Sequence, residues 1–405
     1  MQKSLVALVR CNSYEPEELY RAVLRGLDLV GGAGIYARKG EKILLKPNIL
    51  NGSDPNRCVV THPNVLAAVT RAFQKTGARL SYGDSPCVES TQEAARKAGF
   101  EKVADELNLP LSDFENSVSY KSRRASFFGS FPLAKAVVSS DGLISISKLK
   151  THNFTRITGA VKNQYGCISG LRKAQYHARF PMVQEFARFV VDVCAAAGVR
   201  LYIMDAIMAM EGDGPNNGTP RKLGVLLMST DPVALDATAC RLINLDPSMV
   251  PTNTAGKKAG LGEYEAAMIK VVGDSLQECV DNGFTVVRKP PFSVYAHGLR
   301  KHLQTWLVPR PVIARRKCIK CGRCVHICPV EPKAIEWLDG RKKPPRHLYS
   351  RCIRCFCCQE ACPAEAISIK TSLPGRIFPA MVEVMFPVVR NTLHLIRRLK
   401  KKQEK

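Results

Sequence analysis

Two groups of four cysteines carry the sharpest chemical signal in this chain of 405 residues. Cys318, Cys321, Cys324 and Cys328 precede Pro329, and Cys352, Cys355, Cys358 and Cys362 precede Pro363, so one C-x2-C-x2-C-x3-C-P spacing occurs twice. Four thiolates must surround a cubic iron-sulfur cluster, and three cysteines on one tight loop can supply three corners of it. Structural zinc favours two pairs of ligands separated by a longer gap, and disulfides suit this spacing still less. The expected cofactors are therefore two 4Fe-4S clusters. Cys357 fits neither repeat. It reads as a buried or spare thiol, with its use as a ligand in place of Cys358 left open.

A second set of chemistry-bearing residues lies in the first two thirds of the chain. Lys46-Pro47-Asn48, Thr61-His62-Pro63, Gly83-Asp84-Ser85-Pro86, Lys148-Leu149-Lys150-Thr151-His152, Thr158-Gly159-Ala160-Val161-Lys162-Asn163 and Glu211-Gly212-Asp213-Gly214-Pro215 are polar stretches that a simple core does not need. Lysines and amides just after strands point charge and donors into a crevice where an anion can bind. Lys46, Asn48, Lys148, Lys150, Lys162 and Asn163 are thus candidate substrate-binding residues, for phosphate or carboxylate. His62 and His152 are candidates for proton transfer near neutral pH, and Asp84 for orienting a base or binding a cation. Asp205 is a similar strand-end carboxylate. Each lysine also has an ordinary reading on a solvated surface, each histidine one as a structural cap, and each aspartate one as a cap of the next turn. No G-x-G-x-x-G or Walker loop is present, so neither nicotinamide nor ATP is indicated.

The cysteine run resembles that of bacterial two-cluster ferredoxins, in which the fourth cysteine of each run ligates the other cluster. The resemblance implies one cluster on Cys318, Cys321, Cys324 and Cys362, and another on Cys352, Cys355, Cys358 and Cys328. Ala334-Ile335 and Ala366-Ile367 follow the two prolines, as expected of a duplicated loop-helix-strand unit. The first loop is longer by Val330-Glu331-Pro332-Lys333, which threatens its strand more than its ligands.

The elements that must position these groups follow from hydrophobic patterning. Residues 1–285 alternate β-branched runs with amphipathic stretches, the pattern of an α/β domain. Strands are expected at 5–9, 42–45, 79–82, 142–146, 200–204 and 223–228, and helices at 16–29, 63–75, 91–98, 183–197 and 232–243. Asp231-Pro232 opens the last helix with a capping carboxylate and a proline at its first position. A basic, partly helical connector spans 286–316, a small α+β ferredoxin-like unit 317–370, and a basic amphipathic tail 371–405. The tail's apolar stretch is too short and too interrupted by Glu383, Pro387 and Arg390 to span a bilayer. It suits either an interfacial segment or a docked helix with a basic end.

Composition narrows the setting. The net charge is +25, and most of the excess lies in residues 291–405, with 24 Lys and Arg against 7 Asp and Glu. No nucleic-acid-binding motif accompanies it, so no nucleic acid partner is expected. The charge suits an acidic redox partner protein, or peripheral contact with an anionic membrane surface, better. Eight further cysteines are scattered singly and no secretory leader is evident, which together point to a reducing cytoplasm.

The polar motifs, with Asp231-Pro232-Val233-Ala234-Leu235-Asp236, resemble the family called domain of unknown function 362, often described as iron-sulfur cluster-binding proteins. Members frequently carry a C-terminal two-cluster ferredoxin. A more distant similarity to nickel-pincer lactate racemases matches none of their catalytic residues here. The expected function is electron transfer, with clusters relaying single electrons to or from a reaction on an anionic substrate, as in an oxidoreductase. Two alternatives are a non-enzymatic carrier or assembly factor that docks a partner, and an isomerase-like or transferase enzyme with structural clusters. Arg315, Arg316, Lys317, Lys320, Arg323, Arg351 and Arg354 around the cysteines should favour the more negative, reduced clusters.

Overall fold

A computed structural model describes residues 3–86, 88–289, 308–338 and 340–372. The amphipathic tail beyond residue 372 and most of the connector lie outside the described residues, so the expectations for both stay as they stand.

An eight-stranded mixed sheet organises the α/β region. Its strands are β1 (Ser4–Arg10), β2 (Lys42–Pro47), β3 (Arg79–Tyr82), β6 (Gly142–His152), β7 (Arg156–Thr158), β8 (Val199–Glu211), β9 (Thr219–Ser229) and β10 (Ile269–Gly273). A separate hairpin pairs β4 (Ser117–Lys121) with β5 (Ser130–Ala134). The order is β10-β1-β9-β8-β6-β2-β3, with β7 folded back on β6. Most neighbours are parallel, but β9 runs antiparallel between β1 and β8. The strand at 223–228 had no orientation from patterning, because a strand buried on both faces is apolar whichever way it runs.

Central strands are covered on both sides. Ile43, Leu45, Ile144, Ile146, Leu201 and Ile203 pack toward α1 (Pro16–Leu29), α2 (Pro63–Gln74), α3 (Thr91–Lys97) and α4 (Phe100–Glu106). Leu44, Leu143, Tyr202 and Met204 alternate with them. They pack toward α5 (Lys135–Val138), α6 (Ala160–Asn163), α8 (Val183–Ala196), α9 (Pro232–Leu242) and α10 (Pro251–Lys258), while α7 (Arg172–Arg179) lies at the edge of this layer. Asp231 caps α9 as its sequence indicates, accepting from the Val233 and Ala234 amides at 2.8 and 2.9 Å.

Two strands run well past their expected ends. β6 continues through Lys148, Lys150 and His152, and β8 reaches Glu211. The Lys148–His152 motif is therefore strand, not the loop after it, and its pairing with β8 is irregular between Lys148 and Lys150. Such bulges re-aim side chains at strand ends.

In the C-terminal region β11 (Arg310–Ile313) pairs with β14 (Ile367–Lys370), and β12 (Ile335–Glu336) with β13 (Arg346–His347). β11 falls inside the stretch read as connector. Its Pro311 is tolerated because a two-stranded sheet consists only of edges. Short helices Arg323–Ile327 and Cys357–Glu360 follow the two cysteine loops. The strand after the longer first loop is reduced to two residues.

Candidate functional site

The end of β2 sets the first wall of a crevice. Lys46, fully buried, lies 2.7 Å from the Asp84 carboxylate and donates to the Asn163 carbonyl at 2.7 Å. The other oxygen of Asp84 accepts from the Ile49 amide at 2.7 Å. A β-carbon on Gly166 would stand 2.0 Å from Asp84 Oδ1, so any side chain here would push the Lys46–Asp84 pair aside. Asn163 donates to Ser145 Oγ at 2.9 Å. Its helix, α6, is capped from a distant motif: Asp236 accepts from the Ala160 and Val161 amides, and a β-carbon on Gly159 would stand 2.1 Å from the same carboxylate. Burial raises Asp236 to about 7, against these two hydrogen bonds.

A cavity of about 70 Å³ opens beside this wall, room for a few waters or a small anion. Asn48, Asp84, Lys150, His152, Lys162 and Asn163 line it from the α/β side. Lys150 donates to Asn48 Oδ1 at 2.8 Å and to the Val59 carbonyl at 2.5 Å. Burial, reinforced by Lys162, lowers its pKa to about 7. Burial and Lys162 also hold His152 down at about 4, so its ring is neutral near pH 7. His152 Nδ1 accepts from the Phe154 amide at 3.0 Å, which leaves the proton on Nε2. Nε2 lies 3.2 Å from Glu360 Oε1. Burial pushes the Glu360 carboxyl up, but His152 and Lys162 outweigh it and keep Glu360 ionised.

Three lining residues escaped sequence reasoning. Lys173 reaches the Ser85 carbonyl at 2.6 Å and its hydroxyl at 2.7 Å. His177 stacks on Phe186 at 4.2 Å, is lowered to about 3 by burial, and has no hydrogen-bond partner for Nδ1 among the described residues. Glu360 was hidden inside the cysteine repeat. No spacing marks His177 or Lys173, both on α7.

The structure seats the other candidates outside this cavity. Lys148 pairs with Asp205 at 2.8 Å, both side chains fully buried, and donates to Tyr14 Oη at 2.9 Å. Asp205 also accepts from Tyr14 Oη at 2.8 Å and the His62 amide at 3.1 Å. The His62 ring stacks on Tyr14 at 3.8 Å, and its Nδ1 caps α2 by accepting from the Asn64 amide at 3.2 Å. Burial lowers His62 to about 4. None of Lys46, Lys148 and Lys150 is a solvated surface residue, since each finds its oxygens inside the fold.

The cysteines enclose two further small spaces. Cys318, Cys321, Cys324 and Cys362 line one, and Cys328, Cys352, Cys355 and Cys358 the other. Each space thus takes its fourth thiol from the other repeat, and four thiols around one void suit a cubic cluster. Cys357 lines neither space and faces the interior cavity instead. The polar 211–217 segment joins the two regions: the Asp213 carbonyl accepts from Gln359 at 3.2 Å, Asn216 donates to the Cys362 carbonyl at 3.2 Å and Asn217 to the Ile367 carbonyl at 2.7 Å.

Comparison with known proteins matches residues 43–241 to the model of a domain of unknown function, DUF362, and residues 310–363 to a 4Fe-4S dicluster domain. A thylakoid-associated protein of Synechocystis is 34% identical over 278 residues, which cover 68% of this chain and 86% of that protein. Among solved structures, the lactate racemase apoprotein of Thermoanaerobacterium thermosaccharolyticum aligns with 13% identity and a TM-score of 0.37 over 58% of this chain and 56% of that one. A likeness that faint bears on neither activity nor mechanism. No helix among the described residues is long and apolar enough to cross a membrane.

Proposed function

The chain belongs to the DUF362 family and carries a 4Fe-4S dicluster domain, and from that premise we propose an electron-transfer protein whose α/β cavity binds a small anionic substrate. One observation carries this reading. The cavity wall is shared, with Lys150, Lys162, His152 and His177 on one side and Ile327, Cys357 and Glu360 of the cysteine-bearing unit on the other. Cys318, Cys321, Cys324 and Cys362 would hold one cluster, and Cys328, Cys352, Cys355 and Cys358 a second. Clusters so placed would supply single-electron relay.

The chain's own groups do the rest. Lys150 and Lys162 offer positive charge to a carboxylate or phosphate. His152, fixed as the Nε2–H tautomer by the Phe154 amide, offers a proton donor beside Glu360. His177 Nδ1 offers one more polar contact deep in the wall. Lys46 and Asp84, with room left for them by Gly166, hold the Asn48–Asn163 edge in place.

Anaerobically purified protein should contain about eight iron and eight sulfide per chain. Lys150→Met and Lys162→Met should retain that content yet weaken binding of a small carboxylate or inorganic phosphate at least about tenfold, because they remove charge at nearly constant volume. Stoichiometric zinc without sulfide would end the iron-sulfur part of this reading, and unaltered anion binding in both variants would end the substrate part.

A second reading, contact with an anionic membrane surface, draws on the thylakoid association of the relative and on the basic residues 291–405. Full-length protein should then sediment with phosphatidylglycerol vesicles at low salt, and a chain ending at Ser372 should remain in the supernatant.

A further inference from the structure

The two cysteine sets differ in how a protein partner can reach them. Cys355, Cys358 and Cys328 are buried and Cys352 is half-buried, and Cys355 packs with Ala174, Ile327, Cys357 and Ala361 at the junction with the α/β region. In the other set Cys321 is exposed and Cys318 half-buried. Beside them Ile319 keeps 64% of its surface in solvent.

A second turn completes this face. Lys320 donates to the Lys342 carbonyl at 3.0 Å, and Trp337 and Arg341 stand against Gly322, with the Arg341 guanidinium 5.5 Å from the Trp337 ring centre. The 340–343 turn is thereby pressed to the 319–322 loop, and Leu338, 59% exposed, follows Trp337 at the same end. The resulting surface has bulky apolar residues, Ile319 and Leu338, amid exposed Lys317, Lys320, Arg341 and Lys342. An apolar centre with a charged rim is the anatomy of a transient protein interface, and redox encounters are small and electrostatically steered.

We propose that this face, over Cys318 and Cys321, docks an acidic one-electron carrier protein. The proposal rests on the cluster assignment above and adds the point of entry. In the complex the reduced carrier loses one electron and the chain gains one, through the set that holds the exposed Cys321 and not through the set packed at the junction. Surface basicity selects a carrier whose own redox centre is ringed by carboxylates.

The test uses the intact holo chain and an oxidised acidic [2Fe–2S] ferredoxin as probe, with affinity read by titration so that cluster potentials play no part. Binding should weaken at least about tenfold as ionic strength rises from about 0.01 M to about 0.15 M, where the Debye length shortens from about 30 Å to about 8 Å. The double change Lys317→Glu and Lys342→Glu should weaken it at least about tenfold at low salt, while Lys270→Glu on the distant strand β10 should not. Equal affinity of the face variant and the parent would overturn the proposal, as would binding only to phosphatidylglycerol vesicles and not to the probe. Loss of the iron content in the parent would instead sink the cluster assignment beneath it, and Lys150→Met, which leaves this face intact, reports on the cavity alone.

Discussion

Lys148 and Lys150 stand two residues apart at the end of one strand, both buried, and their surroundings part company completely. Lys148 meets a carboxylate, Asp205, whose remaining lone pairs are taken by Tyr14 and by the His62 amide. Lys150 meets only neutral oxygens, those of Asn48 and Val59, and lies on the wall of a cavity. The bulge between them separates the two settings. A buried charge that is fully paired belongs to the scaffold. One held by neutral acceptors has its pKa lowered to about 7 and is the kind of charge that the proposed anion site needs.

The largest test of this contrast is Lys148→Met. It strands the Asp205 carboxylate in the interior and should cost about 3–5 kcal/mol in urea unfolding. Lys150→Met should change stability by only about 1 kcal/mol, because losing two hydrogen bonds is offset by removing an unpaired buried charge. A cost for Lys150→Met as great as for Lys148→Met would erase the distinction. Removing both partners together, Lys148→Met with Asp205→Leu, should cost less than Lys148→Met alone, since no orphaned charge remains. An additive result in that double-mutant cycle would mean the pair is not coupled.

The contrast also has a signature in pH. Lys150 titrates near 7 in the fold and at about 10.4 when unfolded, so between these values the unfolded chain holds the extra proton. Stability should therefore rise with pH across that window relative to Lys150→Met, by up to about 1.4 kcal/mol per unit. Binding of a carboxylate that stays ionised throughout should move the other way and fade as pH climbs past about 7, because only the charged lysine attracts it. Parallel pH profiles for the parent and the methionine variant would remove Lys150 from any role in anion binding.

How much of this could be read from the sequence depends on the distance over which each signal acts. Helix α1 and the Asp231 cap are local, set by apolar period and by one side chain reaching amides two and three residues on, and they stand where patterning puts them. The cysteine spacing is equally local. The motifs also drew attention to Asn48, Lys150, His152, Lys162 and Asn163, which the structure brings to one cavity. What could not be read is pairing. Nothing near Lys148 in sequence announces Asp205, and nothing near α6 announces the Asp236 carboxylate that caps it. His177 and Lys173 sit on a polar helix without a telling period, and Glu360 reads as filler between cysteines until folding turns it to His152.

Strand β1 is flanked by β9 on one side and β10 on the other, two segments made long after it. At about 5–20 residues per second, synthesis leaves that first strand without its neighbours for on the order of tens of seconds. The sheet can therefore close only once residue 273 has left the ribosome. The cavity is later still, since Ile327, Cys357 and Glu360 complete its wall. Birth order thus runs from sheet to cysteine unit to cavity, and a chain interrupted before its second cysteine loop would possess the sheet with one wall of the cavity missing.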